Sequence, residues 1–128
     1  MIKKMSILWV ADNCGVSKVK VIHHYFGFHK KTTKLGHFAK VSVRKRKYNY
    51  KWVKSKKIMI ARKGSRHKSY FIRSCYRWIK LDGTLLKFKK NALVLLKKRL
   101  TLKGKYVKGP FVYGLRRKKI IKSFPGLV

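Results

Sequence analysis

Acid–base or metal chemistry in this chain would have to come from two carboxylates, two thiols and five imidazoles. The carboxylates, Asp12 and Asp82, lie far apart in the sequence, and general acid–base catalysis needs two such groups close together. Each also sits in a turn signature, "DNCG" and "LDGT". Asp and Asn side chains bond to nearby amides, and Gly accepts positive φ, so Asp12, Asn13, Gly15, Asp82 and Gly83 read as turn residues kept for backbone chemistry. Cys14 and Cys75 match no CxxC or Cys/His spacing and read as free thiols in a reducing compartment. His23, His24, His29, His37 and His67 fall in no metal-binding motif. No nucleophile–base–acid set or phosphate-binding Gly-Lys loop stands out, so the expectation is a non-enzyme without metal or cofactor.

What the chain has in abundance is positive charge. Its 37 Lys and Arg against 2 acidic residues give a formal net charge of +35. Such a chain repels itself and calls for a polyanionic partner. Disorder is the first rival reading, but 45% apolar and 13% aromatic residues suffice for a core. The length fits one domain spanning 1–128. Its longest apolar runs, such as "ALVLL" and "ILWVA", are far short of a membrane span, and no membrane association is expected. The N-terminus carries no signal-like hydrophobic region, which suggests that the protein works where it is made.

The elements that would position these cations read as strands. "SILWVA" and "VSKVKVIHHYF" flank the "DNCG" turn as a β-hairpin, with Val19 and Val21 on one face and Lys18, Lys20 and Ile22 on the other. "GFHKKTTKLG" reads as an exposed basic loop. "HFAKVSVRKR" gives a third strand with Phe38, Val41 and Val43 inward, allowing one irregularity at Ala39. Residues 45–68 form a basic, extended stretch whose convincing strand is "IMIA". Its Tyr48, Tyr50 and Trp52 among cations suit stacking on RNA better than plain packing. "SYFIRSCYRWIKLDGTLLKF" reads as two strands joined through a basic, aromatic ribbon, with Asp-Gly marking a turn. "LLKFKKNALVLLKKRL" fits either an amphipathic cationic helix or strands, the second of them apolar on both faces. Periodicity leaves both open.

"VADNCG" resembles the opening signature of the universal large-subunit ribosomal protein family L-fourteen. Asp82-Gly83, Phe88, Asn91, Val94 and Leu95 follow the spacing of that family's later signature. Gly104, Gly109-Pro110, Leu115-Arg116 and "KIIKSFPGL" extend the likeness to the end of the chain. There are departures: Ser69, Tyr70, Phe71 and Ile72 stand where a small residue and three aliphatics are usual. Lys89-Lys90 replace acidic or small residues, and the 45–68 stretch is longer than usual.

The resemblance implies a mostly β fold: a small five-stranded antiparallel β-barrel with a projecting β-ribbon and short C-terminal helices, and a basic extended insertion near 45–68. It favours strands over the helix in the ambiguous segment. It implies a structural constituent of the large ribosomal subunit that binds large-subunit rRNA. Its neighbours would be L-three-like and L-nineteen-like proteins, and it would reach small-subunit rRNA across the interface, with no homo-oligomer. The RNA-binding candidates are Lys30, Lys31, Lys34, Arg44, Lys45, Arg46, Lys47, Arg62, Lys63, Arg66, Arg73, Arg77, Arg116, Arg117, Lys118 and Lys119. Structural turns are expected at Asp12, Asn13, Gly15, Asp82, Gly83, Asn91, Gly109 and Pro110. The Lys, Phe and Tyr excess points to an organelle-encoded protein of the mitochondrial matrix, with a bacterial cytoplasm or a plastid as alternatives.

If ~10 phosphates are neutralised, the log–log salt slope of binding is about −9 by the B-DNA rule. Self-repulsion also predicts that the isolated chain folds poorly at low salt. A thermal scan should show a broad, non-cooperative change there, and a sharp two-state melt would contradict it.

Overall fold

The structure, a computed structural model, describes residues 2–25, 27, 31–47, 61–104, 106–112 and 115. Nine strands occur among them: β1 (Ile2–Lys3), β2 (Ile7–Val10), β3 (Val16–His24), β4 (Thr32–Thr33), β5 (Phe38–Arg46), β6 (Arg66–Arg73), β7 (Trp78–Ile79), β8 (Leu85–Leu86) and β9 (Ala92–Leu96). Five of them close a barrel in the order β2-β3-β5-β6-β9. Every pair in it is antiparallel except the last, because β9 runs parallel to β2, with Trp9 opposite Ala92 and Val10 opposite Leu93. This corrects the expected all-antiparallel barrel, and the reason is geometric. Strand directions can alternate all the way round a closed ring only if the strand number is even. A five-stranded barrel must therefore hold a parallel pair, and here it falls at the seam.

The alternating pattern of β3 and β5 is that of a sheet with one dry face. Val16, Val19 and Val21 of β3 and Ala39, Val41 and Val43 of β5 are buried in the barrel interior with Leu8, Val10, Phe71, Leu93 and Leu95. In β5 the inward set is Ala39, Val41 and Val43, in strict period two, so no irregularity is needed at Ala39. Phe38 lies on the opposite face, half-buried in a second cluster and tilted against Tyr70 at 5.2 Å. The expectation of an inward Phe38 fails because a small Ala points into the interior at the next position.

The double-sided apolarity of β9 has a direct cause. Leu93 and Leu95 point into the barrel, while Ala92, Val94 and Leu96 pack outward against Tyr70, Ile72, Val107, Phe111, Val112 and Leu115. The segment after β9 thus seals the outer face of β6 and β9, and the helical reading of residues 85–100 is overturned. The C-terminal helices expected from the resemblance lie outside the described residues. So do the proposed strand at 58–60 and the aromatics Tyr48, Tyr50 and Trp52; Ala61 is buried against the barrel core.

Two further pairings lie outside the barrel. β1 joins β4, with Thr33 fully buried and Leu35 nearly so, so the 27–36 stretch is not the wholly exposed loop its composition suggests; Lys31 and Lys34 are exposed. β7 and β8 form the projecting ribbon. At its tip Asp82 Oδ1 accepts hydrogen bonds from the Thr84 amide (2.9 Å) and hydroxyl (2.7 Å), with Gly83 at φ +80. The Thr84 hydrogen bonds hold this exposed carboxyl below its ordinary pKa.

Asp12 does more than a turn residue. It is fully buried; Oδ1 accepts from the Cys14 amide (3.3 Å) and Oδ2 from the Leu95 amide of β9 (3.0 Å). One carboxylate thereby satisfies two orphan donors, one of them 83 residues away. Burial pushes its pKa up, against the pull of those hydrogen bonds and of Lys47. Asp12→Ala leaves both amides without an acceptor and should cost roughly 2–5 kcal/mol. Asp12→Asn keeps one acceptor but turns an NH2 group toward the other amide, and should cost roughly 1–3 kcal/mol. Urea unfolding in a sulfate buffer that screens the cationic surface should show midpoints in the order wild type, Asn, Ala.

Candidate nucleic-acid interface

Strand direction gathers cations that the sequence scatters. β2, β5 and β9 run toward one mouth of the barrel, and β3 and β6 start there. The end of β5 therefore delivers Arg44, Lys45 and Arg46, exposed, and Lys47, half-buried, to the rim. The Lys47 amide donates to the Gly15 carbonyl (3.0 Å), which ties this rim to the "DNCG" turn, where Gly15 takes φ +79. Exposed Arg62 and Lys63 join the same rim. The Gly64 amide donates to the Val43 carbonyl (2.9 Å), the Val43 amide to the Ser65 carbonyl (3.1 Å), and Arg66 stands opposite Ser42. Seven of the candidate residues thus converge.

The mouth also holds cations that sequence reasoning missed. Lys68 pairs with Leu96, so the turn leaving β9 sets exposed Lys97, Lys98 and Arg99 beside Arg66. That turn is tight: the Lys97 amide donates to Thr101 O (2.8 Å), the Leu100 amide to Lys97 O (3.0 Å), and Leu100 sits at φ +58. The visible signal was "KKR" directly after an apolar strand. These side chains line a groove of about 540 Å³ with His67 and the nearly buried Lys103, whose Nζ is 3.2 Å from His67 Nε2. An aliphatic floor under a ring of ammonium and guanidinium groups suits a phosphate backbone.

Other candidates fall elsewhere. Lys34 and Arg77 meet at the base of the ribbon, where they line a groove with Tyr76 and Trp78. Arg73 is committed to structure: its Nε donates to Pro110 O (2.8 Å) and an Nη to Lys108 O, so it clasps the Gly109-Pro110 turn. Gly109 is at φ +83, and a Cβ there would stand 2.8 Å from the Arg73 guanidinium. Lys31 is exposed before β4, away from these clusters, and Lys30, Arg116, Arg117, Lys118 and Lys119 lie outside the described residues. Of the turn residues, Asn91 Oδ1 accepts from the Cys75 amide (2.7 Å) and pins the ribbon to the barrel, while Asn13 Oδ1 accepts from Tyr106 N (3.3 Å). Cys14 and Cys75 are both free thiols, as expected; burial pushes the Cys14 thiol far up, so it stays protonated and inert. Among the described residues no cluster could hold a metal ion.

Burial, and then the Lys103 ammonium, hold His67 below its ordinary 6.5. A base whose folded pKa lies below its unfolded one contributes its full stability above pH 6.5 and loses it as pH falls from there toward the folded value. Buried His24 has the same sign, while Asp12, raised by burial, has the opposite one. His67→Asn removes only the His67 part. The variant's unfolding midpoint in urea should fall less steeply than that of wild type as pH drops below 6.5; parallel curves would assign the pH dependence elsewhere.

A family model described as ribosomal protein L14p/L23e matches residues 1–125. A protein of Tetrahymena pyriformis, "Large ribosomal subunit protein uL14m", is 38% identical over 128 residues, spanning all of both chains. A barrel sealed by a parallel seam, a cationic mouth and a whole-length family match lead to one conclusion: the chain belongs to the ribosomal protein L14p/L23e family.

Proposed function

We propose that this protein is a structural constituent of the large subunit of a mitochondrial ribosome, not an enzyme, and that it binds large-subunit rRNA near the subunit interface. The relative from Tetrahymena, matched over its full length, is a mitochondrial protein of that subunit. The observation that carries the rRNA reading is the barrel mouth, where three separate segments contribute Arg44, Arg46, Lys63, Arg66, Lys98 and Arg99 to one face. Lysine and arginine there neutralise phosphates and release counterions, and the barrel fixes their spacing. L-three-like and L-nineteen-like proteins are its proposed neighbours. Contact with small-subunit rRNA across the interface, and with it a contribution to bridging, completes the reading.

Density-gradient separation of ribosomes from the source mitochondria, with subunits split by lowering magnesium and washed in rising salt, tests this reading. The protein should remain with the large subunit at salt that strips nonspecific cations. Spread over every RNA-containing fraction, it would instead be a general polyanion binder. Replacing Lys97, Lys98 and Arg99 together with Ser should lower the magnitude of the log–log salt slope for large-subunit rRNA by about 2 to 3, since each lost phosphate contact removes about 0.7 to 0.9.

A further inference from the structure

On the outer barrel wall beside the mouth, Trp9 of β2 is left 43% exposed, on the face where Ile7 and Ile22 are also bare. A Trp in that position would ordinarily be covered, as the outer faces of β6 and β9 are covered by the segment after β9. Instead two cations attend it: Lys18 Nζ lies 4.8 Å and Lys90 Nζ 5.0 Å from the ring centroid. Both are placed by the barrel. Lys18 is the cross-strand partner of Trp9 on β3, and Lys90 precedes β9, whose Ala92 pairs with Trp9 across the parallel seam.

Trp9 also forms one wall of a groove of about 460 Å³, within the range of clefts that enclose small ligands. Phe88, Ala92 and Pro110 supply apolar surface in it, and Lys47, Lys89 and Lys108 add positive charge. No carboxylate lines it among the described residues. Asn91 holds the Lys89–Lys90 segment in place by accepting two hydrogen bonds, from the Cys75 amide at its Oδ1 and from the Trp9 amide at its carbonyl (3.3 Å). A flat π-face, an apolar floor and a cationic rim are complementary to one unpaired nucleotide, base against indole and phosphate against ammonium. They suit an apolar or mixed-charge protein surface poorly, because that partner would have to cover five lysines.

We infer that Trp9, with Lys18 and Lys90, forms a stacking site for a single unpaired RNA base, on the barrel wall next to the phosphate-binding mouth. The base lies on the indole and displaces an ammonium from the ring, and the freed lysine turns to the phosphate. The site rests on the rRNA-binding reading and adds to it a point of register, since phosphates alone do not distinguish one position along a strand from the next.

The test compares full-length wild type, Trp9→Phe and Trp9→Ala for binding to a short oligoadenylate and to an abasic strand of equal length, in one buffer, with far-UV circular dichroism to verify that each is folded. Wild type should prefer the base-bearing strand. Trp9→Ala should weaken oligoadenylate binding by about 5- to 150-fold, from the usual value of a base–aromatic stack, with abasic binding and the salt slope unchanged. Trp9→Phe, which keeps a smaller ring in the strand, should retain part of the preference. Equal preference in all three would overturn the inference, as would equal weakening of both strands. It would equally be overturned if oligoadenylate binding were unchanged while large subunits carrying Trp9→Ala lost a neighbouring protein. If wild type bound neither strand, the rRNA reading itself would be what failed; abasic binding without any gain from the base leaves that reading intact and removes only the stacking site.

Discussion

A ring of five strands cannot alternate direction throughout, and the rest of this molecule is arranged around that constraint. The parallel contact between β2 and β9 is the single non-alternating pair. Parallel pairing is slightly weaker per residue than antiparallel pairing, and here it spans few residues. The parallel ladder itself runs through the Trp9 amide to Asn91 O (3.3 Å) and the Ala11 amide to Leu93 O (2.9 Å), and beyond it Asp12 adds a side-chain bond, accepting from Leu95 N. Closure leaves the barrel without a free edge, which matters for a protein whose long β3 and β5 would otherwise offer a template for pairing.

The same seam explains why a chain so depleted in acids retains a buried one. Every other carboxylate position could be surrendered to a polyanionic partner, but the amides of Cys14 and Leu95 need acceptors in a place that water does not reach. A neutral side chain with two acceptor atoms on separate oxygens does not exist among the twenty, so the carboxylate remains. Asp82 survives for a more local reason, its capture of Thr84 at the tip of the ribbon. Gly104 belongs to the first arrangement: a Cβ there would come within 2.7 Å of Asn13 Oδ1 and 2.9 Å of Asn13 N, so the chain after β9 can pass the "DNCG" turn only as glycine.

What could be read from the sequence was what local chemistry determines. The first hairpin, the Asp-Gly tip of the ribbon, the alternation of β3 and the two-sided apolarity of β9 all follow from residues within a few positions of one another. The fold family was legible through the spacing of its signatures. The parallel seam, by contrast, depends on which strands meet after four others have been placed, and Phe38 faced outward because the second core that receives it is assembled from distant segments. Arg73 was grouped with the RNA-binding cations on charge alone, yet its guanidinium clasps a turn more than 30 positions downstream. Lys97, Lys98 and Arg99 escaped notice because their importance comes from lying beside Arg66, which only the β6–β9 register decides.

The placing of an exposed indole beside the cationic mouth fits the physics of RNA recognition. Charge attracts a polyanion strongly but registers it poorly, because adjacent phosphates look alike to a lysine. Geometry must come from groups that are held still. At the mouth the cations leave from strand ends and tight turns whose backbones are hydrogen-bonded to the barrel, so less ordering entropy is lost on binding than from a free basic tail. On the wall, an indole fixed in β2 favours a ring placed flat against it. A protein with 37 cations gains most of its affinity without effort; what a closed barrel adds is a rigid frame on which a few contacts can decide where the RNA must lie.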